Sequence, residues 1–182
     1  MKSKWFVILA LIPTIPIYGQ TYPRVEVFGG YSHTSSTILD KSFDGNGANM
    51  SLAVNSKPWL GVVGDFGVYR TGLGVLGASS SDETFLFGPK VSARNLRFTR
   101  FGQALFGGMH LGSTPFGAEG VSSTAFAMAF GGGLDLNMNK TMALRLFQAD
   151  WLRTHFHGNS TLANWQNTPR VSVGVVFRLS SE

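Results

Sequence analysis

Cysteine is missing from this chain of 182 residues, so neither disulfides nor thiolate metal sites arise. Charge is scarce: 14% of the residues are Asp, Glu, Lys or Arg, low for a soluble domain. No apolar run approaches the ~18 residues that a helix needs to cross a bilayer. If the chain sits in a membrane, it must therefore cross as a closed barrel. The formal charge of +5 falls to +3 once Lys2 and Lys4 are set aside with the leading segment, which is no nucleic-acid footprint. Glycine, in contrast, is abundant, with 23 residues.

The first twenty residues stand apart. A basic start, Met1–Lys4, precedes the apolar run Trp5–Ile12, which Pro13 and Pro16 break, and Ile17-Tyr18-Gly19 offers a small residue at a cut. This order predicts a secretory signal peptide over 1–19, removed to leave a single domain over 20–182. Ile17 is larger than the usual small residue upstream of such a cut.

The stretch Thr124–Leu136 indicates the fold. Its even positions are Phe126, Met128, Phe130, Gly132, Leu134 and Leu136, and its odd positions are Ala125, Ala127, Ala129, Gly131, Gly133 and Asp135. Successive side chains of a strand point to opposite faces. One face is large and greasy, and the other is tiny and ends in a charge. A soluble sandwich would not turn Ala and Gly to water and bury Phe and Met opposite them. A narrow barrel accounts for both faces, with lipid taking the large residues and small ones letting the strand pass close to lumen side chains.

Seven further segments alternate in the same way: Arg24–Ser32, Ala48–Asn55, Leu60–Arg70, Glu83–Ser92, Thr99–His110, Thr141–Phe156 and Arg170–Leu179. The orientation of Thr99–His110 stays open, because both of its faces carry polar and aromatic residues. Pro89 predicts a bulge or a local loss of pairing. Arg145 is odd while Gln148 and Asp150 are even, so keeping all three inside predicts a β-bulge near Leu146–Phe147. Leu144, Ala149 and Trp151 then face lipid. The connections alternate long and short, with His33–Gly47, Thr71–Asp82, Leu111–Ser123 and His157–Thr168 as the long loops. The expected fold is an all-β, eight-stranded antiparallel up-and-down transmembrane barrel, its short turns and both termini on the periplasmic side.

The segments VEVFGGYSH (Val25–His33), FLFGPKVS (Phe85–Ser92), AFAMAFGGGLDL (Ala125–Leu136) and ALRLFQADWLRT (Ala143–Thr154) carry a resemblance. The chain resembles the small outer-membrane β-barrel proteins, the OmpA-like transmembrane domain and its opacity-protein, porin-like relatives. The resemblance implies a Gram-negative outer-membrane location, lipid as the surrounding partner and insertion by the barrel-assembly machinery. The ending Ser172-Val173-Gly174-Val175-Val176-Phe177-Arg178-Leu179 is similar to the signal that this machinery reads, with Ser172, Gly174, Phe177 and Leu179 at its marked positions. Leu179 stands where an aromatic is frequent, and Ser180-Ser181-Glu182 follow it.

Eight inward charges are expected: Glu26, Asp65, Asp135 and Asp150 against Lys90, Arg145, Arg170 and Arg178. Eight strands enclose just enough room for side chains to fill, so these charges are expected to pair as a plug. Counting along hairpins sets Asp65 opposite Lys90, Asp135 diagonal to Arg145, and Glu26 near Arg178. The histidines His33, His110, His155 and His157 fall in loops or at outer strand ends. His155 and His157 share a face, but two ligands are too few for a metal site. His157-Gly158-Asn159-Ser160 has a likeness to barrel lipid A deacylases, yet their His-x-Ser spacing is not met and no acid aligns. No catalytic, cofactor or metal residue is expected. The function read here is a structural or surface-interaction barrel without catalysis; a narrow channel, an adhesin and, last, a lipid-modifying enzyme are the alternatives. Loops rich in Ser, Thr, Asn and Gly suit an exposed surface and leave the ligand unnamed.

Overall fold

A computed structural model describes residues 22–38, 41–73, 78–114, 121–155 and 166–181. The expected signal segment 1–19 lies outside these residues, as does His157. Eight strands follow in order: β1 (Pro23–Ile38), β2 (Lys41–Asn55), β3 (Leu60–Leu73), β4 (Ala78–Arg94), β5 (Phe98–Thr114), β6 (Val121–Asn137), β7 (Met142–His155) and β8 (Gln166–Ser181). Each pairs antiparallel with the next, and β8 pairs with β1, which closes the barrel.

The strands run longer than the roughly ten-residue crossings that the sequence suggests. The Ser-, Thr- and Gly-rich segments expected as loops continue the hairpins, with Ile38↔Lys41 and Leu73↔Ala78 still in register. Polar side chains do not stop a ladder once its backbone groups have partners. Pro89 causes no bulge. β4 and β5 are bridged as far as Phe87↔Phe106 and again from Lys90↔Gln103 in unchanged register, so pairing lapses only beside the residue that lacks an N–H.

One row of register partners measures the stagger of the barrel. It runs from Asn55 to Gly61, Lys90, Gln103, Gly131, Asp150, Arg170 and Thr34, and returns to β2 at Gly45, ten residues from Asn55. Such a stagger tilts the strands by about 40° and leaves an interior that side chains can fill. Because this row climbs from the short-turn end to the other, its inward members reach different depths.

Burial follows the alternation. In β6, Ala125, Ala127, Ala129 and Asp135 are buried, while Phe126 and Phe130 are exposed on the outside. Across the barrel, Met50, Leu52, Val62, Phe85, Phe87, Trp151, Val173 and Phe177 are also exposed. A closed barrel with this apolar exterior has its solvent in a bilayer. β5 takes the orientation that the sequence leaves open: Thr99, Phe101, Gln103 and Leu105 point inward. At the bulge, Leu134 faces Phe147 and Asp135 faces Arg145, so Leu146 is the extra residue, and both Leu146 and Phe147 are exposed. Inside, Ala53, Val63, Leu86, Leu105, Ala127, Ala129 and Leu152 form an apolar cluster, with Met109 packed against it.

The bulge makes a specific expectation. Deleting Leu146 joins Arg145 directly to Phe147 and keeps every later side chain on its face, so the barrel should still fold. Deleting Ala149 instead turns Asp150 to lipid and Trp151 inward, which sets a carboxylate on the lipid face and leaves Arg170 without that partner. The shift between heated and unheated samples in electrophoresis checks this: the first variant should retain it and the second should lose it.

Candidate functional site

All eight charged residues expected in the lumen are buried there. Their partners follow from depth along the tilted strands. Arg170 of β8 reaches across the barrel, donating through Nη1 to Asp65 Oδ1 of β3 at 2.8 Å and through Nη2 to Asp150 Oδ2 of β7 at 2.7 Å. The same Nη1 donates to the Tyr69 hydroxyl at 3.0 Å. Asn49 Nδ2 occupies the other oxygen of Asp65 at 2.9 Å, and Gln103 Nε2 that of Asp150 at 3.0 Å. Gln148 links this group downward, donating to Asp150 Oδ2 at 2.7 Å and accepting from Arg145 Nη1 at 2.6 Å. Arg145 in turn holds Asp135 through Nε at 2.8 Å and Nη2 at 3.2 Å.

A second group closes the short-turn end. Glu26 accepts from Lys90 Nζ at 3.0 Å and from Arg94 Nη1 at 2.7 Å, and Arg178 Nε lies 3.4 Å away. Arg178 Nη2 also donates to Asn137 Oδ1 and Thr99 Oγ1. Between the two groups, the Arg145 guanidinium sits 4.2 Å from the Phe28 ring centre and 4.3 Å from that of Phe101. Lys90 Nζ is 4.7 Å from the Phe101 ring. Stacking of this kind suits a guanidinium, whose flat faces are weakly hydrated. Glycine makes room for both rings: a Cβ on Gly174 would meet Phe28 Cε2 at 2.9 Å, and one on Gly133 would meet Phe101 Cζ at 2.8 Å.

One expected pair is corrected. Asp65 does not meet Lys90, because the register sets Asp65 opposite Leu86 and Lys90 opposite Gly61. Lys90 therefore lies deeper toward the short turns, where it finds Glu26. Asp135 and Arg145 are direct register partners rather than diagonal ones, and Glu26 faces Arg178 across the closure. Arg94 is not among the eight inward charges expected from the sequence. The even parity of Lys90 and Ser92 continues to Arg94, which turns into the lumen mouth with 12% of its side chain exposed. The roles of Tyr69, Asn49 and Gln103 were also missed, although inward Asn, Gln and Tyr beside buried charges are the signal of a shared network.

His33 Nδ1 lies 2.9 Å from Asn46 Oδ1 and His110 Nδ1 lies 3.2 Å from Thr124 Oγ1, both exposed. Among the described residues, no three of His, Asp and Glu gather as metal ligands. The arrangement as a whole is a cross-braced set of charges and amides filling a tube.

Solved structures share the fold. Neisserial surface protein A matches with a TM-score of 0.68 at 12% identity, over 85% of this chain and 97% of that one. Ail, the attachment invasion locus protein of Yersinia pestis, matches with a TM-score of 0.62 at 19% identity, over 87% and 99% of the two chains. The fold is that of the small outer-membrane barrels. Ail in complex with the heparin analogue sucrose octasulfate matches with a TM-score of 0.61 at 16% identity, over 87% of this chain and 99% of that one. No family model and no curated protein matches the sequence.

The cross-brace can be tested by double-mutant cycles in chemical unfolding. Arg170→Met leaves two carboxylates without their cation and should cost on the order of 3–5 kcal/mol. Asp65→Asn should couple strongly to it. Asp65→Asn and Lys90→Met, which share no partner, should add to within about 0.5 kcal/mol.

Proposed function

We propose that this chain is an outer-membrane barrel with a structural or surface-interaction role and no catalysis of its own, its lumen closed by ion pairs. Arg170 carries the reading. It is fully buried and joins carboxylates on opposite walls, so polar groups that would otherwise line a water path are spent on one another. The apolar cluster of Leu86, Leu105 and Leu152 fills further space beside them. Interaction with other molecules then falls to the outer ends of the long hairpins. The fold that the chain shares with an attachment invasion protein, and with its complex with a heparin analogue, supports that assignment. In this reading, 1–19 is an export signal, 20–182 is the barrel, and lipid of the outer membrane surrounds it.

Planar-bilayer recording of the purified barrel tests the plug. The expected record is quiet at modest voltage, and steady wild-type channels would replace this reading with that of a narrow pore.

Assembly belongs to the same proposal, with Ser172, Gly174, Phe177 and Leu179 as the positions read by the barrel-assembly machinery. Phe177 is exposed on the outside of β8, between Val27 and Met142 at the short-turn end. A charge at that depth costs only ~0–1 kcal/mol. Phe177→Asp should nonetheless sharply reduce the folded barrel recovered from cells, while the purified variant refolds in detergent. Wild-type levels in cells would remove the signal.

A further inference from the structure

Among the described residues, the two rims of the barrel differ in their exposed acids. At the short-turn end, Arg24, Lys57, Arg97, Arg100 and Lys140 are exposed. The acids at that end, Glu26 and Asp135, are buried in the lumen and engaged there. Among the described residues, no acid is exposed on this rim. Asp44, Asp82 and Glu83, the described acids that reach the surface, all lie toward the opposite end.

The cations of the short-turn rim are also held in a common frame. Ser92 N donates to Trp59 O at 2.8 Å and Arg94 Nε to Pro58 O at 3.0 Å, which ties the β4–β5 turn to the β2–β3 turn. Asn137 N donates to Arg97 O at 2.8 Å and Asn137 Nδ2 to Asn95 O at 2.9 Å, which ties it to the β6–β7 turn. Asn95 and Asn139 cap their own turns through side-chain oxygens. Lys57, Arg97, Arg100 and Lys140 thus stand on one continuous collar.

We propose that this collar binds the anionic headgroups of phospholipids in the inner leaflet of the outer membrane. The inference rests on the reading of the short turns as periplasmic. Depth favours lipid over a polymer beyond the membrane. Arg100 has outward parity, opposite Ala93 and Leu134, so its guanidinium leaves the barrel sideways at the edge of the apolar band. Lys57 Nζ lies 5.7 Å from the Trp59 ring, an amphipathic anchor of the kind that marks the interface. Leu96, 82% exposed, and Met138, 66% exposed, add apolar tips beside the cations. Basic residues near an anionic membrane surface each contribute to binding, and salt screens them.

Trp59 serves as the probe, with Trp151→Phe and Trp165→Phe removing the other tryptophans of the barrel domain. The barrel is reconstituted in phosphatidylcholine vesicles containing an equal fraction of brominated phosphatidylglycerol or of brominated phosphatidylcholine. The expected result is about twofold stronger quenching by the anionic lipid at low salt, converging in roughly 0.5 M salt. A variant carrying Lys57→Gln, Arg97→Gln, Arg100→Gln and Lys140→Gln should quench equally with both lipids while keeping its heat-dependent electrophoretic shift. Equal quenching of the unneutralised barrel at low salt overturns the proposal, as does salt-dependent retention on isolated cell-wall sacculi in place of a lipid preference. The absence of native cysteine permits a separate check of sidedness. Asn139→Cys should resist a large polyethylene-glycol maleimide in intact cells and react after the outer membrane is permeabilised. Labelling in intact cells would overturn the inner-leaflet assignment. Lipid preference is read independently of conductance, so failure of the plug leaves this result standing.

Discussion

A barrel of eight strands with a stagger of ten has an interior that side chains can fill, and the charges placed there cannot be left unpaired. Arg170 answers both conditions at once. Its guanidinium spans from β8 to Asp65 on β3 and Asp150 on β7, so one side chain braces β3 against two strands with which it shares no backbone hydrogen bond. Asn49 and Gln103 then occupy the carboxylate oxygens that Arg170 leaves open, Gln148 shares Asp150 Oδ2 with it, and the Tyr69 hydroxyl accepts from its Nη1. A buried charge pair is weak evidence for stability, because its desolvation offsets much of its attraction. Its consequence here is a defined arrangement of the walls.

The small residues of β6 and β8 belong to the same packing. Where Phe28 and Phe101 lie along the wall, Gly174 and Gly133 stand beneath them, and the rings in turn sandwich Arg145. A bulky side chain at either glycine would displace a ring and unseat the cation between them. The bulge at Leu146 has a comparable role: it returns Gln148 to the lumen after Arg145, so that Gln148 joins the Arg145–Asp135 pair to Asp150 and Arg170. Small side chains and an irregular strand, features that look like weaknesses in a sheet, are what allow the interior to be filled.

Function on such a fold resides in what each surface presents, since a fold alone does not specify chemistry. The wall meets lipid, the lumen is spent on internal pairing, and the rims remain. They differ because the short-turn end keeps its acids inside and shows its cations, whereas the described acids that reach the surface cluster at the other end. Among the described residues, the two ends therefore differ in exposed acids, with Arg70 and Arg153 accompanying the acids at the far end.

Eight strands, their inward and outward faces, the bulge and the inward set of charges were legible in the sequence, because alternation with period two is a local property that any strand must obey. The face of Thr99–His110 was not, since Phe101 and Phe106 lie on opposite faces and both can be accommodated, one beside Arg145 and one in lipid. Nor was the choice of partners. Pairing depends on depth, and depth depends on the register of each hairpin and the stagger summed around the closed ring, neither of which parity encodes. Asp65 and Lys90 both point inward and carry opposite charge, yet the register separates them, handing Asp65 to Arg170 and Lys90 to Glu26. The amino-acid sequence by itself determined which side chains enter the lumen. Only closure of β8 onto β1 decided which of them meet, because it brings residues more than a hundred positions apart to the same depth across a narrow tube.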